Sequence, residues 1–360
     1  MATIDERALT TFARLLKQLP PSALDRLSGG PIVRDGQTLD RAIALVLKIG
    51  EKTNPVVLPG EDAASLAKFR VEQSKGARIA AGSPLEVGEV RELEVKGAEG
   101  PLRARHYAPR RVNGSPVSGA VPPNPPLLVF FHGGGFVFGD VDTHDAPCRY
   151  LCEHAGAHVL SVEYRLAPEH RFPAAALDAH AAFLWAVENA ASLGADPKRV
   201  GVVGDSAGGN LSAAVSGMAV RAGGPKPICQ ILIYPATDRR KAWESLSLFA
   251  TGYFLTKESI DWYDLQYSGG DAATLADPRR TPLAADDFSK LPRTLVVTAG
   301  FDPLRDEGEA YGAALKRAGV DVTVRRFDSL VHGFFNMVGI SETSRNAVVE
   351  IAGGARLLLG

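Results

Sequence analysis

Ser206 stands between two glycines in Gly204-Asp205-Ser206-Ala207-Gly208, after the apolar run 200–203 and before an alanine-rich stretch with helical spacing. A strand, a tight turn and a helix in that order push a serine oxygen outward, where it can act as a nucleophile. The glycines serve the sharp turn and the close approach of strand to helix. In a chain with 37 glycines the bare Gly-x-Ser-x-Gly pattern arises ~0.2 times by chance, so its flanking elements carry the argument. The competing reading is a helix N-terminus capped by Asp205 or Ser206.

A second glycine cluster, His132-Gly133-Gly134-Gly135, directly follows the apolar run 127–131. Its chance expectation is far lower, ~0.01. Glycines lacking a β-carbon let backbone N–H groups face an oxyanion, where each preorganised donor is worth roughly 2.7–4 kcal/mol. The rival reading is a phosphate loop. It is the less attractive one, because neither Lys nor Ser/Thr follows in the Walker pattern and Gly-Gly-Gly-Phe does not continue as a dinucleotide fingerprint.

A serine nucleophile needs a base, and the base needs a carboxylate to orient it. After a strand–turn–helix serine these partners follow in the order acid, then histidine. Of the eight histidines (His106, His132, His144, His154, His158, His170, His180 and His332) only His332 comes after Ser206. It lies beyond the predicted strand 321–327, in Val331-His332-Gly333-Phe334. Two carboxylates compete for the acid in Asp302-Pro303-Leu304-Arg305-Asp306. Asp302 is nearer the loop leaving the predicted strand 294–298, although it can also cap the helix that Pro303 starts; Asp306 falls in that helix's first turn.

These residues require a scaffold, and the chain supplies short apolar or alternating runs at 87–95, 102–107, 127–131, 158–164, 200–203, 228–234, 294–298 and 321–327. Helical stretches at 174–191, 207–221 and 307–318 separate the later runs. The alternation predicts an α/β fold: a mainly parallel central sheet with helices on both faces. The opening strands lack such helices and are expected to pair antiparallel. Residues 1–80 carry three amphipathic patches: Ala8, Phe12, Leu15, Leu16 and Leu19; Leu39, Ala42, Leu45 and Leu47; and Ala63, Leu66, Phe69 and Val71. They read as helices covering the sheet, joined by an irregular insertion at 238–277 with the aromatics Phe249, Tyr253, Phe254, Trp262 and Tyr263. The expected organisation is a helical cover at 1–80, a catalytic domain at 81–236 and 279–360, and an insertion at 237–278. Residues 113–126, dense in Gly, Pro and Ser, read as an exposed loop.

Composition narrows the partners. The 40 Lys plus Arg against 41 Asp plus Glu leave no surplus of cations for a nucleic-acid backbone. Hydrophobic residues at 45% and charged residues at 22% are those of a globular chain. No apolar run approaches the ~18–20 residues of a membrane span, and charges interrupt the first 27 residues, so neither a membrane nor a signal peptide is expected and the location reads as cytoplasmic. Cys148, Cys152 and Cys229 are too few for a disulfide framework and read as buried thiols. No metal site is expected: His154 and His158 are four apart without the HExxH pattern, and the cysteines lack a second ligand pair.

Five segments together resemble the hormone-sensitive-lipase-like (bacterial family IV) carboxylesterases of the α/β-hydrolase fold. They are His132-Gly133-Gly134-Gly135-Phe136, Tyr164-Arg165-Leu166-Ala167-Pro168-Glu169, Gly204-Asp205-Ser206-Ala207-Gly208-Gly209, Asp302-Pro303-Leu304-Arg305-Asp306-Glu307-Gly308 and His332-Gly333-Phe334. The resemblance spans about residues 85–340. It implies Ser206 as nucleophile, Asp302 rather than Asp306 as the acid, His332 as base, and the amides of Gly134, Gly135 and Ala207 as the oxyanion hole. It also implies a helical cap, small ester substrates with short acyl chains, no cofactor, and frequent pairing as homodimers. An amidase, thioesterase or lactonase would use the same groups and differ only in the pocket. A small-molecule receptor on this fold would be expected to lack one of the three, and all three are present. Phe254 and Trp262 of the insertion are candidates for lining the substrate pocket, against the alternative of packing the cover onto the core.

Overall fold

The computed structural model describes residues 19–53, 58–60, 62–112, 115–116 and 124–360. Its centre is an eight-stranded sheet of β1 (Glu89–Lys96), β2 (Pro101–Ala108), β3 (Leu127–Phe131), β4 (His158–Val162), β5 (Val200–Asp205), β6 (Cys229–Ile233), β7 (Arg293–Phe301) and β8 (Val322–Val331). They lie in the order β8-β7-β6-β5-β3-β4-β2-β1. The β1–β2 and β2–β4 pairs are antiparallel and the other five are parallel. The antiparallel entry into a parallel sheet is as the sequence predicts.

The central strands β3, β4, β5 and β6 are buried at every residue, which explains their nearly continuous apolar runs. Side chains still alternate between faces. Leu127, Val129 and Phe131 of β3 join one core and Leu128 and Phe130 join the other. On the first face pack α5 (Ala174–Asn189) and α6 (Ala207–Ala222); on the second, α4 (Asp145–Ala155) and α10 (Glu342–Leu359). The helix α9 (Arg305–Arg317) packs through Tyr311 and Leu315 against Leu232 of β6 and Val296 of β7.

Before the sheet come α1 (Pro21–Ser28), α2 (Arg41–Thr53) and α3 (Ala63–Ala81). The patch from Ala8 to Leu16 lies outside the described residues. Within α3, Leu66 and Phe69 face the core, whereas Ala63 and Val71 are exposed, so the predicted patch is only half inward. The insertion holds α7 (Glu244–Leu248) and α8 (Lys257–Ser268). In α8, Thr256 and Ser259 form a reciprocal capping box at the start, and Gly269 at φ 66° ends the helix. Most of the loop 113–126 lies outside the described residues; Arg111–Val112 pairs with Ser115–Pro116 in a two-residue ribbon.

Several boundaries move. β7 and β8 run past the predicted ends at 298 and 327, to Phe301 and Val331, and β4 stops at Val162 rather than 164. The extensions follow the ladder, since Phe301 of β7 pairs with Val331 of β8 after a register shift beyond Ala299. His332 therefore comes directly after a strand, not five residues beyond it. Cys148, Cys152 and Cys229 are free, buried thiols, as expected. No helix among the described residues is long and apolar enough to cross a membrane.

Candidate active site

Three strand ends converge at one edge of the sheet. β5 ends at Asp205, and Ser206 turns the chain with φ 56° and ψ −115° before α6 begins at Ala207. Positive φ is rare for a residue with a β-carbon and marks strain at the turn. Ser206 N–H is held by Ile233 O of the neighbouring β6 at 2.8 Å. The turn also needs α6 close behind: a β-carbon on Gly208 would collide with the carbonyl of Phe131, at the end of β3. Next along the sheet, β7 delivers Asp302 and β8 delivers His332, each one residue past its strand.

The three side chains form a hydrogen-bonded line. His332 Nε2 lies 2.9 Å from Ser206 Oγ, and His332 Nδ1 lies 2.8 Å from Asp302 Oδ2. Asp302 is fully buried and its other oxygen accepts from Leu304 N–H at 2.8 Å. The carboxylate at Nδ1 selects the tautomer in which that nitrogen carries the proton, leaving Nε2 as the acceptor for the serine hydroxyl. Asp306 faces elsewhere: it accepts from Ser245 N–H of α7 at 2.8 Å and from Arg305 Nε at 2.9 Å. The Tyr234 ring packs 4.5 Å from the His332 ring and limits its swing.

Beside this line lies the glycine loop after β3. Gly134 and Gly135 have φ of 120° and 60°. Gly135 admits no side chain, because a β-carbon there would stand 2.7 Å from Tyr263 Cδ1 of α8. The first amide of α6, Ala207 N–H, lies at a helix N-terminus with no acceptor in its own helix. His132, at the head of the loop, is no base: burial pushes its pKa down to about 4, and its Nδ1 bonds Gly133 O at 2.8 Å.

Sequence reasoning missed the buried support beneath the loop. Asp205, next to Ser206, accepts from Gly133 N–H at 2.9 Å and stands 3.2 Å from His144 Nε2. Burial opposes its charge, but His144 and the Gly133 amide outweigh that cost and hold its carboxyl below the usual range. The residue beside Ser206 thus ties the turn to the glycine loop. Tyr267, and the role of the insertion aromatic Tyr263 against the loop, were missed as well. One helical turn apart on α8, Tyr263 covers Gly135 and Tyr267 stacks on Phe136 with ring centroids 3.8 Å apart. The i, i+4 spacing of two tyrosines was the available signal. Of the two predicted pocket aromatics, Trp262 packs edge-on against Phe69 of α3 at 5.7 Å. Phe254 lies between α7 and α8, 36% exposed and at φ 65°.

Residues 128–336 match the family model for the alpha/beta hydrolase fold. The chain belongs to the α/β-hydrolase family. This α/β hydrolase is 42% identical over 349 residues to the carboxylic ester hydrolase LipN of Mycobacterium tuberculosis, covering 95% of this chain and 89% of that one. It is 39% identical over 225 residues to the ethyl acetate hydrolase of Pseudomonas putida, covering 62% and 70%. Among solved structures, an ester-hydrolase from the metagenome of Lake Arreo, complexed with a derivative of bipyridine phosphonate, matches with a TM-score of 0.82 and 38% identity, covering 89% of this chain and 98% of that one.

Proposed function

We propose that this α/β hydrolase is a carboxylesterase that cleaves short- to medium-chain carboxylic esters through an acyl-enzyme on Ser206. The observation that carries the reading is the unbroken line from Ser206 Oγ through His332 to Asp302, at 2.9 and 2.8 Å, beside a glycine loop. The carboxylic ester hydrolase and ethyl acetate hydrolase among its relatives support the same class of substrate.

The steps follow from that geometry. Ser206 Oγ attacks the ester carbonyl carbon as its proton passes to His332 Nε2, and the imidazolium is stabilised by Asp302. Negative charge collects on the carbonyl oxygen and is met by the N–H groups of Gly134, Gly135 and Ala207. As the C–O bond to the alcohol breaks, His332 returns its proton to the leaving oxygen. Water then attacks the acyl-enzyme, gives a proton to His332, and releases the acid; the same proton restores the Ser206 hydroxyl.

The helices of residues 1–80 and the insertion 237–278 form the cap in this reading, supported by the contact of Phe69 with Trp262. Phe254 and Trp262 contribute to the pocket wall. Replacing either by alanine is expected to shift the preferred acyl chain length, and an unchanged preference removes that residue from the pocket.

The test is hydrolysis of p-nitrophenyl esters from acetate to palmitate by the wild type and by Ser206→Ala. A maximum at short chains that falls by roughly four to six orders of magnitude in the variant is the expected result. Ester hydrolysis retained in Ser206→Ala, or none by the wild type, overturns the proposal.

A further inference from the structure

Arg70, on α3, lies over sixty residues before the glycine loop, yet its guanidinium is spent on that loop and its neighbour. Nε donates to Val137 O at 2.8 Å and Nη2 to Ala167 O at 2.9 Å. Two of the three remaining hydrogens meet Glu169 as a two-pronged pair, Nη1 to Oε1 at 2.8 Å and Nη2 to Oε2 at 2.7 Å. This pairing holds the Glu169 carboxyl below its usual range. The two loops are also joined directly, because Ala167 N–H donates to Phe136 O at 2.9 Å. Phe69, the preceding residue of α3, sets its ring edge-on to Phe138 at 5.8 Å and so grips the same loop from the apolar side.

What this fastening fixes is the direction of one amide. Val137 N–H and Phe138 N–H both donate to Gly134 O, at 3.0 and 3.1 Å, closing a turn over 134–138. A trans peptide is planar, with its C=O and N–H pointing opposite ways. Pinning Gly134 C=O into the turn therefore aims Gly135 N–H away from it. Arg70 holds the far side of the turn through the Val137 carbonyl, so a shift there rotates the Gly134–Gly135 peptide.

We infer that Arg70 is a positioning residue for the oxyanion loop, acting on the reaction through the Gly134–Gly135 peptide without touching substrate. The inference rests on the esterase reading above. It makes α3 part of the catalytic apparatus as well as a cover. Lysine cannot replace it, because a single ammonium lacks the planar fork that reaches two carbonyls and a carboxylate together.

The experiment compares wild type, Arg70→Ala, Arg70→Gln and Arg70→Lys with p-nitrophenyl butyrate, and follows amide hydrogen exchange and Tm in the same proteins. Arg70→Ala is expected to lose about 10- to 100-fold in kcat, with KM within about threefold, because an oxyanion donor acts on the transition state. Millimolar guanidinium is expected to restore part of kcat in Arg70→Ala and none in Arg70→Lys, where the site is filled. Exchange is expected to rise at 133–138 and 165–169 and to stay unchanged in the central strands. Should Arg70→Ala not fold, Arg70→Gln is read by the same kcat, KM and exchange criteria. An unchanged kcat in a wild type that hydrolyses esters through Ser206 overturns the inference alone. So does a loss that guanidinium does not recover and that comes with faster exchange throughout. Absence of Ser206-dependent hydrolysis in the wild type overturns the esterase reading instead, and the loop's exchange still decides whether Arg70 holds it.

Discussion

Asp302 and Asp306 are four residues apart with the same chemistry, and one hydrogen bond separates their roles. Asp302 fixes the proton on His332 Nδ1, and Asp306 receives the Ser245 amide of α7. Asp302→Asn keeps the shape but permits the wrong tautomer, so kcat is expected to fall by about 10⁴. Asp306→Asn is expected to stay within about tenfold of wild type and to lower Tm instead. Equal losses of kcat in the two variants would contradict the assignment. Of this residue-scale picture, Ser206 and His332 were legible from order and flanking elements alone, since no other histidine follows the serine. The choice of acid was legible only in part: nearness to the strand's exit and the family resemblance favoured Asp302, but both carboxylates suit a strand–helix turn and only the side-chain direction tells them apart. Asp205 was invisible for a related reason: a carboxylate at a helix start reads as a cap, and its acceptance of Gly133 N–H depends on β3 and β5 lying side by side.

Among the elements, α6 and β3 meet at a tight joint. Gly208 faces the Phe131 carbonyl so closely that a β-carbon cannot enter without moving backbone. Gly208→Ala is expected to cost about 3 kcal/mol or more of stability and to displace Ser206, measured by urea unfolding and by kcat. A variant as stable and as active as wild type would show that α6 can recede from β3 freely. The strand–helix alternation was legible because burial on both faces makes β3 to β6 nearly continuous apolar runs. The ends of β7 and β8 were not: Phe301 and Val331 pair after a register shift, which no periodicity reveals. In the insertion, aromatic content was visible, but the face of α8 turned to the loop was not singled out. That face carries Tyr263 and Tyr267, while Trp262 turns toward α3.

Across the whole molecule, buried titratable groups set opposite limits on stability. Burial pushes His106 down to about 3 and His132 to about 4, against 6.5 in a free histidine. Below about pH 6.5 the unfolded chain takes up protons that the folded one refuses, so their stabilisation is lost as pH falls toward those values. Glu307 is the reverse case. Burial pushes it up to about 8 from 4.5, although Thr237 N–H and Asp238 N–H donate to it, so the fold retains a proton that the unfolded chain releases. Its contribution is complete below about pH 4.5 and declines as pH rises toward 8. Glu307→Gln is therefore expected to lose less Tm than wild type between about pH 6.5 and 8, and parallel curves would contradict the burial argument. The sequence disclosed one α/β scaffold and its order of motifs; it did not disclose which charges lie inside, since burial belongs to packing between distant segments. The mechanism turns on a covalent step, the acylation of Ser206. It is tested most directly by treating the protein with a p-nitrophenyl phosphonate and locating the adduct by peptide mass spectrometry. Release of one p-nitrophenolate per chain, an adduct on Ser206 and complete loss of esterase activity are expected. Activity that survives labelling, or an adduct confined to another residue, would contradict it.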